Sequence, residues 1–138
     1  MLPSPEDLKR LAAFRTEERP VLSVYLDLVT ADKRKSASNE FKLMANQRLA
    51  EAYKTDHRRR KMLQEDIEIV QMYLNNGSLT CGAGLAIFSC ASSLFWRAYT
   101  LPVAVPNQVD IGPTFNLTSL RGAMREMERR QELLEEAV

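Results

Sequence analysis

Leu8, Leu11, Ala12 and Phe14 supply an apolar side at helical spacing just after Ser4-Pro5-Glu6-Asp7. Ser4 can cap a helix, Pro5 suits its first turn, and two acids sit at the positive end of its dipole. The pattern predicts a short helix near residues 5–15, stopped before Pro20. From Val21 the period changes to two. Leu22, Val24, Leu26 and Leu28 share one side, and Ser23, Tyr25 and Asp27 the other, so a strand is predicted over 21–28. Residues 29–37 are polar, contain Lys33, Arg34 and Lys35, and read as an exposed loop.

Helical spacing then returns. Phe41, Met44, Ala45, Arg48, Leu49, Ala52 and Tyr53 follow the i, i+3, i+4 rule, with Ser36 or Ser38 as the cap. Thr55-Asp56 breaks the pattern and caps a second helix over about 57–75, whose stripe is Leu63, Ile67, Val70 and Leu74. Asn75-Asn76-Gly77 stops it. So short a connection makes either an antiparallel hairpin, the preferred reading, or one broken helix.

Leu85 to Phe88 are continuously apolar after a Gly-rich lead, as in a strand buried on both faces. Ala91-Ser92-Ser93 is a small polar turn, and Leu94 to Leu101 alternates again, completing a β-hairpin. Trp96 and Phe95 fall on opposite faces, so at least one belongs to the core. Pro102 and Pro106 exclude a central strand between them. Gln108 to Ile111 forms a short fourth strand ended by Gly112-Pro113. A last helix starts at Asn116 or Thr118, with Leu117, Leu120, Met124, Met127 and Leu134 as a partial stripe and a densely charged second half. The expectation is an α+β fold: a small, mainly antiparallel four-stranded sheet, a long helical hairpin and terminal helices, in the order α-β-α-α-β-β-β-α.

The 138 residues fit one domain, 1–138, and 45% hydrophobic content suffices for a core. The 19 Lys and Arg nearly cancel the 18 Asp and Glu, leaving +1. That excludes a uniformly basic nucleic-acid binder but not a local basic patch. Met1 to Asp7 has no secretory pattern, and the apolar run Gly84 to Phe88 is far short of the roughly 20 residues of a membrane span. Cys81 and Cys90 flank that run, and a strand would hold them roughly 30 Å apart. Free thiols and a cytoplasmic, membrane-free setting are therefore expected.

Catalytic chemistry finds little support. His57, the one histidine, sits beside Arg58, Arg59, Arg60 and Lys61, whose charges disfavour both a metal cation and an imidazolium. No zinc spacing, nucleophile elbow or P-loop occurs, and Gly82-Ala83-Gly84 precedes a strand rather than a helix. Glu65, Asp66 and Glu68 are placed for i, i+4 pairing with the basic run. The expectation is no enzyme, no cofactor and no metal. Seven of the 19 basic residues fall in two runs, Lys33-Arg34-Lys35 and Arg58-Arg59-Arg60-Lys61, the second at the hairpin tip. Arg48 and Lys54 lie between them. Such runs can neutralise phosphates, through backbone and shape recognition.

Leu8-Lys9-Arg10-Leu11 followed by Pro20 to Asp27 resembles the opening of a bacterial family related to archaeal–eukaryotic peptide-chain release factors. The helical hairpin, the Gly84-Leu85-Ala86-Ile87-Phe88 strand, Leu101-Pro102 and Val109-Asp110-Ile111-Gly112 agree in order, over nearly the whole chain. Ser36-Ala37-Ser38-Asn39 is similar to the first four positions of the family's Thr-Ala-Ser-Asn-Ile-Lys-Ser segment. Val109, Ile111 and Phe115 fall on its Tyr-x-Cys-x-x-x-Phe pattern, where only the Phe agrees, and Glu18-Arg19-Pro20 replaces its Gly-Thr-Ser loop. The resemblance implies the first of three domains, the one that enters the ribosomal decoding region. Release chemistry belongs to a Gly-Gly-Gln loop of the second domain, and this chain has no Gly-Gly pair.

Three readings follow. The first is a ribosome-binding N-terminal domain in rescue, hibernation or termination-like recognition. In it Lys33, Arg34, Lys35, Ser36, Ser38, Asn39, Arg58, Arg59, Arg60 and Lys61 contact ribosomal RNA, with Ser36 to Asn39 near the decoding site. The second is a protein-interaction module with no nucleic-acid role. The third, ranked last, is a small hydrolase or nuclease. The last helix reaches Val138 without a stop signal, so further C-terminal domains of a longer parent chain are expected partners.

Overall fold

The computed structural model describes residues 1–16, 19–76 and 82–137. The elements run α1 (Pro5–Ala13), β1 (Val21–Asp27), α2 (Ala31–Glu51), α3 (His57–Asn75), β2 (Gly84–Cys90), a one-turn 3-10 helix (Ala91–Ser93), β3 (Phe95–Leu101), β4 (Gln108–Gly112) and α4 (Thr118–Glu136). This is the expected α+β order. The sheet is β3-β2-β1-β4, antiparallel throughout.

The local signals explain several elements. Ser4 Oγ accepts the Asp7 N–H at 3.1 Å while the Asp7 carboxylate accepts the Ser4 N–H at 2.8 Å, a reciprocal capping box that starts α1. Hydrogen bonds from Ser4 hold the Asp7 carboxyl below its ordinary pKa. Gly84 opens β2 because the chain passes so close that a Cβ there would lie 2.7 Å from the Val103 carbonyl oxygen. Helix α3 ends where the Asn75-Asn76 signal lies. Gly77 and Cys81 fall outside the described residues, whereas Cys90 is a buried free thiol.

The sheet is covered on both sides. Leu22, Val24, Leu26, Leu85, Ile87 and Val109 face α2 and α3, packing on Phe41, Ala45 and Val70. Tyr25, Ala86, Phe88 and Tyr99 face α1 and α4, packing on Leu11 and Leu120. The polar side of β1 is therefore interior too, and its hydroxyls find partners there. Tyr25 OH donates to the Asn116 carbonyl at 2.6 Å, and Ser23 Oγ accepts the Asn116 N–H at 2.9 Å. Phe95 packs with the α1/α4 side and Trp96 with the α2/α3 side, both only partly buried.

From Ala31 onward the loop expected over 29–37 is instead the start of α2. Thr30, not Ser36 or Ser38, is the cap, its hydroxyl accepting the Lys33 N–H at 3.2 Å. With Asp32 in the first turn and no Gly or Pro, the segment has every local reason to coil, and buried Ala37 docks it on the sheet. Helices α2 and α3 form the antiparallel hairpin. Near the open end Ser38 Oγ donates to Asn75 Oδ1 at 2.8 Å, and Gln71 Nε2 donates to Ser38 Oγ.

Candidate nucleic-acid interface

Five residues turn the chain from α2 into α3. Tyr53 takes a left-handed backbone, φ 50°, and its carbonyl accepts the Asp56 N–H at 3.0 Å. Asp56 then caps α3, accepting the Arg59 N–H at 3.1 Å and the Arg59 guanidinium at 2.8 Å. These donors, the backbone N–H foremost, hold the Asp56 carboxyl below its ordinary pKa. The same guanidinium lies over the Tyr53 ring at 5.5 Å. Among the described residues Arg58, Arg60 and Lys61 make no ion pair. No acid occupies the first turn, so this run loads cations onto the positive end of the α3 dipole.

The acids expected to neutralise the run do not. Asp66 is turned inward, 1% exposed, and its Oδ1 accepts the Ser89 hydroxyl and, at 2.7 Å, the Ala91 N–H. Burial, opposed by those two donors, pushes its carboxyl above the usual range. Glu65 and Glu68 are exposed and form no ion pair among the described residues. The i, i+4 pairing expected of Asp66 is thus overturned: helix packing places that position against the end of β2.

Arg19 joins the tip. Its guanidinium donates to the Ser92 carbonyl at 2.9 Å and to Ser93 Oγ at 3.0 Å. With Thr16, Tyr53, Arg59 and Pro113 it lines a cleft of about 230 Å³. Sequence reasoning missed it, because the contacts that hold it lie more than seventy residues away along the chain. Lys54 is exposed in the same turn, whereas Arg48 caps the edge of the sheet, its Nε donating to the Val109 carbonyl at 3.2 Å.

The other cluster lies elsewhere. Lys33 is tied to Asp27 at 2.7 Å, a bond that holds the Asp27 carboxyl below its ordinary pKa. Arg34 is half-buried, its Nε without a hydrogen-bond partner among the described residues. Lys35 and Asn39 are exposed, and Ser36 Oγ donates back to the Lys33 carbonyl at 3.3 Å. Ser38 is engaged between the helices. Because the hairpin is antiparallel, the two basic runs sit at opposite ends of α2, a helix of 21 residues and roughly 30 Å. The structure does not bring them together.

No protein-family model matches the sequence, and no curated protein matches it. Among the described residues no three His, Cys, Asp or Glu side chains gather as metal ligands would, and no helix is long and apolar enough to cross a membrane. His57 is the exposed first residue of α3. What this end of the molecule can do chemically is hold a polyanion, by charge and by guanidinium hydrogen bonds to phosphate oxygens.

Proposed function

We propose that this chain is a ribosome-binding domain of a release-factor-like translation protein, contacting ribosomal RNA through the end that carries the α2–α3 tip. The observation that carries the reading is the gathering of Arg19, Lys54, Arg58, Arg59, Arg60 and Lys61 around the positive end of α3, with no acid in its first turn. Asp56 offsets only Arg59 there, and phosphates supply counter-charge for the remaining cations. The mode is backbone contact without catalysis. The resemblance to release-factor N-terminal domains supports the translational setting, in rescue, hibernation or termination-like recognition, with further domains of a parent chain as companions. Lys35, Ser36 and Asn39, at the far end of α2, lie outside this surface and play no part in it.

The test is co-sedimentation with purified bacterial ribosomes across a salt series, beside a variant carrying Arg58→Glu, Arg60→Glu and Lys61→Glu. Binding that weakens with salt and is lost in the variant is expected. No pelleting at low salt, or pelleting indifferent to the substitutions, overturns the reading. Salt-insensitive binding would favour a protein-interaction module instead.

A further inference from the structure

Helix α4 carries its charge backwards. A helix is favoured by acids in its first turn and bases in its last. Here the first turn holds no acid and includes Arg121, while the last holds no base and includes Glu135 and Glu136. Arg121, Arg125, Glu128 and Glu132 are spaced four, three and four residues apart, so they form one exposed stripe along the helix. None of the four makes an ion pair among the described residues. The pairs that α4 does make, Glu126 with Arg129 and Arg130, are separate from it. The stripe is positive at one end and negative at the other.

Beside its positive half runs a cleft of about 370 Å³ between α1 and α4. Pro5, Leu8 and Met124 give it apolar surface, and Lys9, Arg121 and Arg125 outnumber Glu128 at its rim. The face that complements this half is the acidic end of α4 itself. It is out of reach within one molecule and available from a second.

We infer that two copies of this chain associate through antiparallel α4 helices, the acidic C-terminal end of each seated on the Arg121–Arg125 end of the other's stripe. Arg121 and Glu136 lie equally far from the midpoint between Glu128 and Arg129, and so do Arg125 and Glu132. Antiparallel packing about that midpoint therefore sets Arg121 against Glu136 of the second copy and Arg125 against its Glu132. Two-fold symmetry repeats each pair. Each macrodipole also runs beside an opposed one. The contact is polar, so the dimer is weak and salt-sensitive, and it leaves the α2–α3 tip uncovered.

Sedimentation velocity on the full chain tests this at low ionic strength, where screening lengths exceed about 10 Å, and again at high salt. A reversible dimer that salt dissolves is expected. Arg121→Glu with Arg125→Glu should raise the dissociation constant about tenfold or more, and Glu132→Arg with Glu136→Arg should do the same. Mixing the two double variants should restore association as a heterodimer. Far-UV circular dichroism confirms that each variant folds. A parent chain monomeric at low salt overturns the inference, whether α4 is simply solvated or meets a different protein. So does a dimer indifferent to the charge reversals, or variants that fail to associate when mixed. Ribosome binding is read separately, so either proposal can fail alone.

Discussion

Ser38 Oγ donates to Asn75 Oδ1 at 2.8 Å, joining the second turn of α2 to the last residue of α3. This bond, with the one from Gln71, closes the end of the hairpin opposite the basic tip. It gives a structural task to the residue that the release-factor resemblance placed near the decoding site.

Ser38→Ala removes that clamp and leaves Asn75 Oδ1 without its donor, while Gln71 Nε2 keeps the Ser38 carbonyl at 3.4 Å. A loss of about 1–2 kcal/mol is expected in urea unfolding. Ribosome pelleting should be unchanged, because the contact surface lies at the far end of the hairpin.

Asp66 sets a pH dependence. Its carboxyl pKa is raised in the folded state by burial, so the folded chain binds the proton more tightly than the unfolded one. The resulting stabilisation is full below the unfolded value of about 4 and is lost as pH rises through the folded value. Asp66→Asn keeps an oxygen for Ser89 and Ala91 and should flatten that part of the pH–stability curve. Asp66→Ala leaves both donors unmet and should cost about 2–3 kcal/mol. Urea titrations over a pH series distinguish the two.

Tyr25→Phe deletes the donor to the Asn116 carbonyl and changes little else in a packed interior. The carbonyl it leaves is only partly buried, so the expected cost is about 1 kcal/mol, read as a lowered thermal midpoint.

Gly84→Ala tests the close approach beside β2. A Cβ 2.7 Å from the Val103 oxygen forces backbone to move, and a cost of about 1–3 kcal/mol is expected in chemical denaturation. Gly122→Ala is the control, since a Cβ there meets nothing within 4 Å.

The two basic runs should behave differently on RNA. Replacing Arg58, Arg60 and Lys61 by Glu should lower the slope of log affinity against log salt by about 2–3, as three phosphate contacts are lost. Lys33→Glu with Lys35→Glu should leave the slope nearly unchanged. Filter binding to ribosomal RNA at several salt concentrations measures both.

Much of the fold was legible where the signal is local. The alternation of Leu22, Val24, Leu26 and Leu28, the Ser4 and Asp56 caps, and the stripe Leu63-Ile67-Val70-Leu74 each specify an element through residues a few positions apart. Side-chain period and capping act at that range, so the chain order of helices and strands could be read directly. Thr30 was harder. The turn it starts is polar and mostly exposed, so it lacks the apolar rhythm that marks a helix, and it reads as a loop until Ala37 is seen docked on the sheet.

The candidate site divides in the same way. The basic run at residues 58–61 was visible because it is contiguous. Arg19 joins it only because Ser92 and Ser93 hold its guanidinium, and Asp66 leaves it only because Ser89 and Ala91 draw the carboxylate inward. By itself the sequence determined which elements form and in what order, since propensity, period and caps are local. Only the tertiary structure decided which charges stand together, which are neutralised and which are buried. Those outcomes depend on distances between residues far apart in the chain, and an antiparallel hairpin that unites its neighbouring ends necessarily separates the ends that carry Lys35 and Lys61.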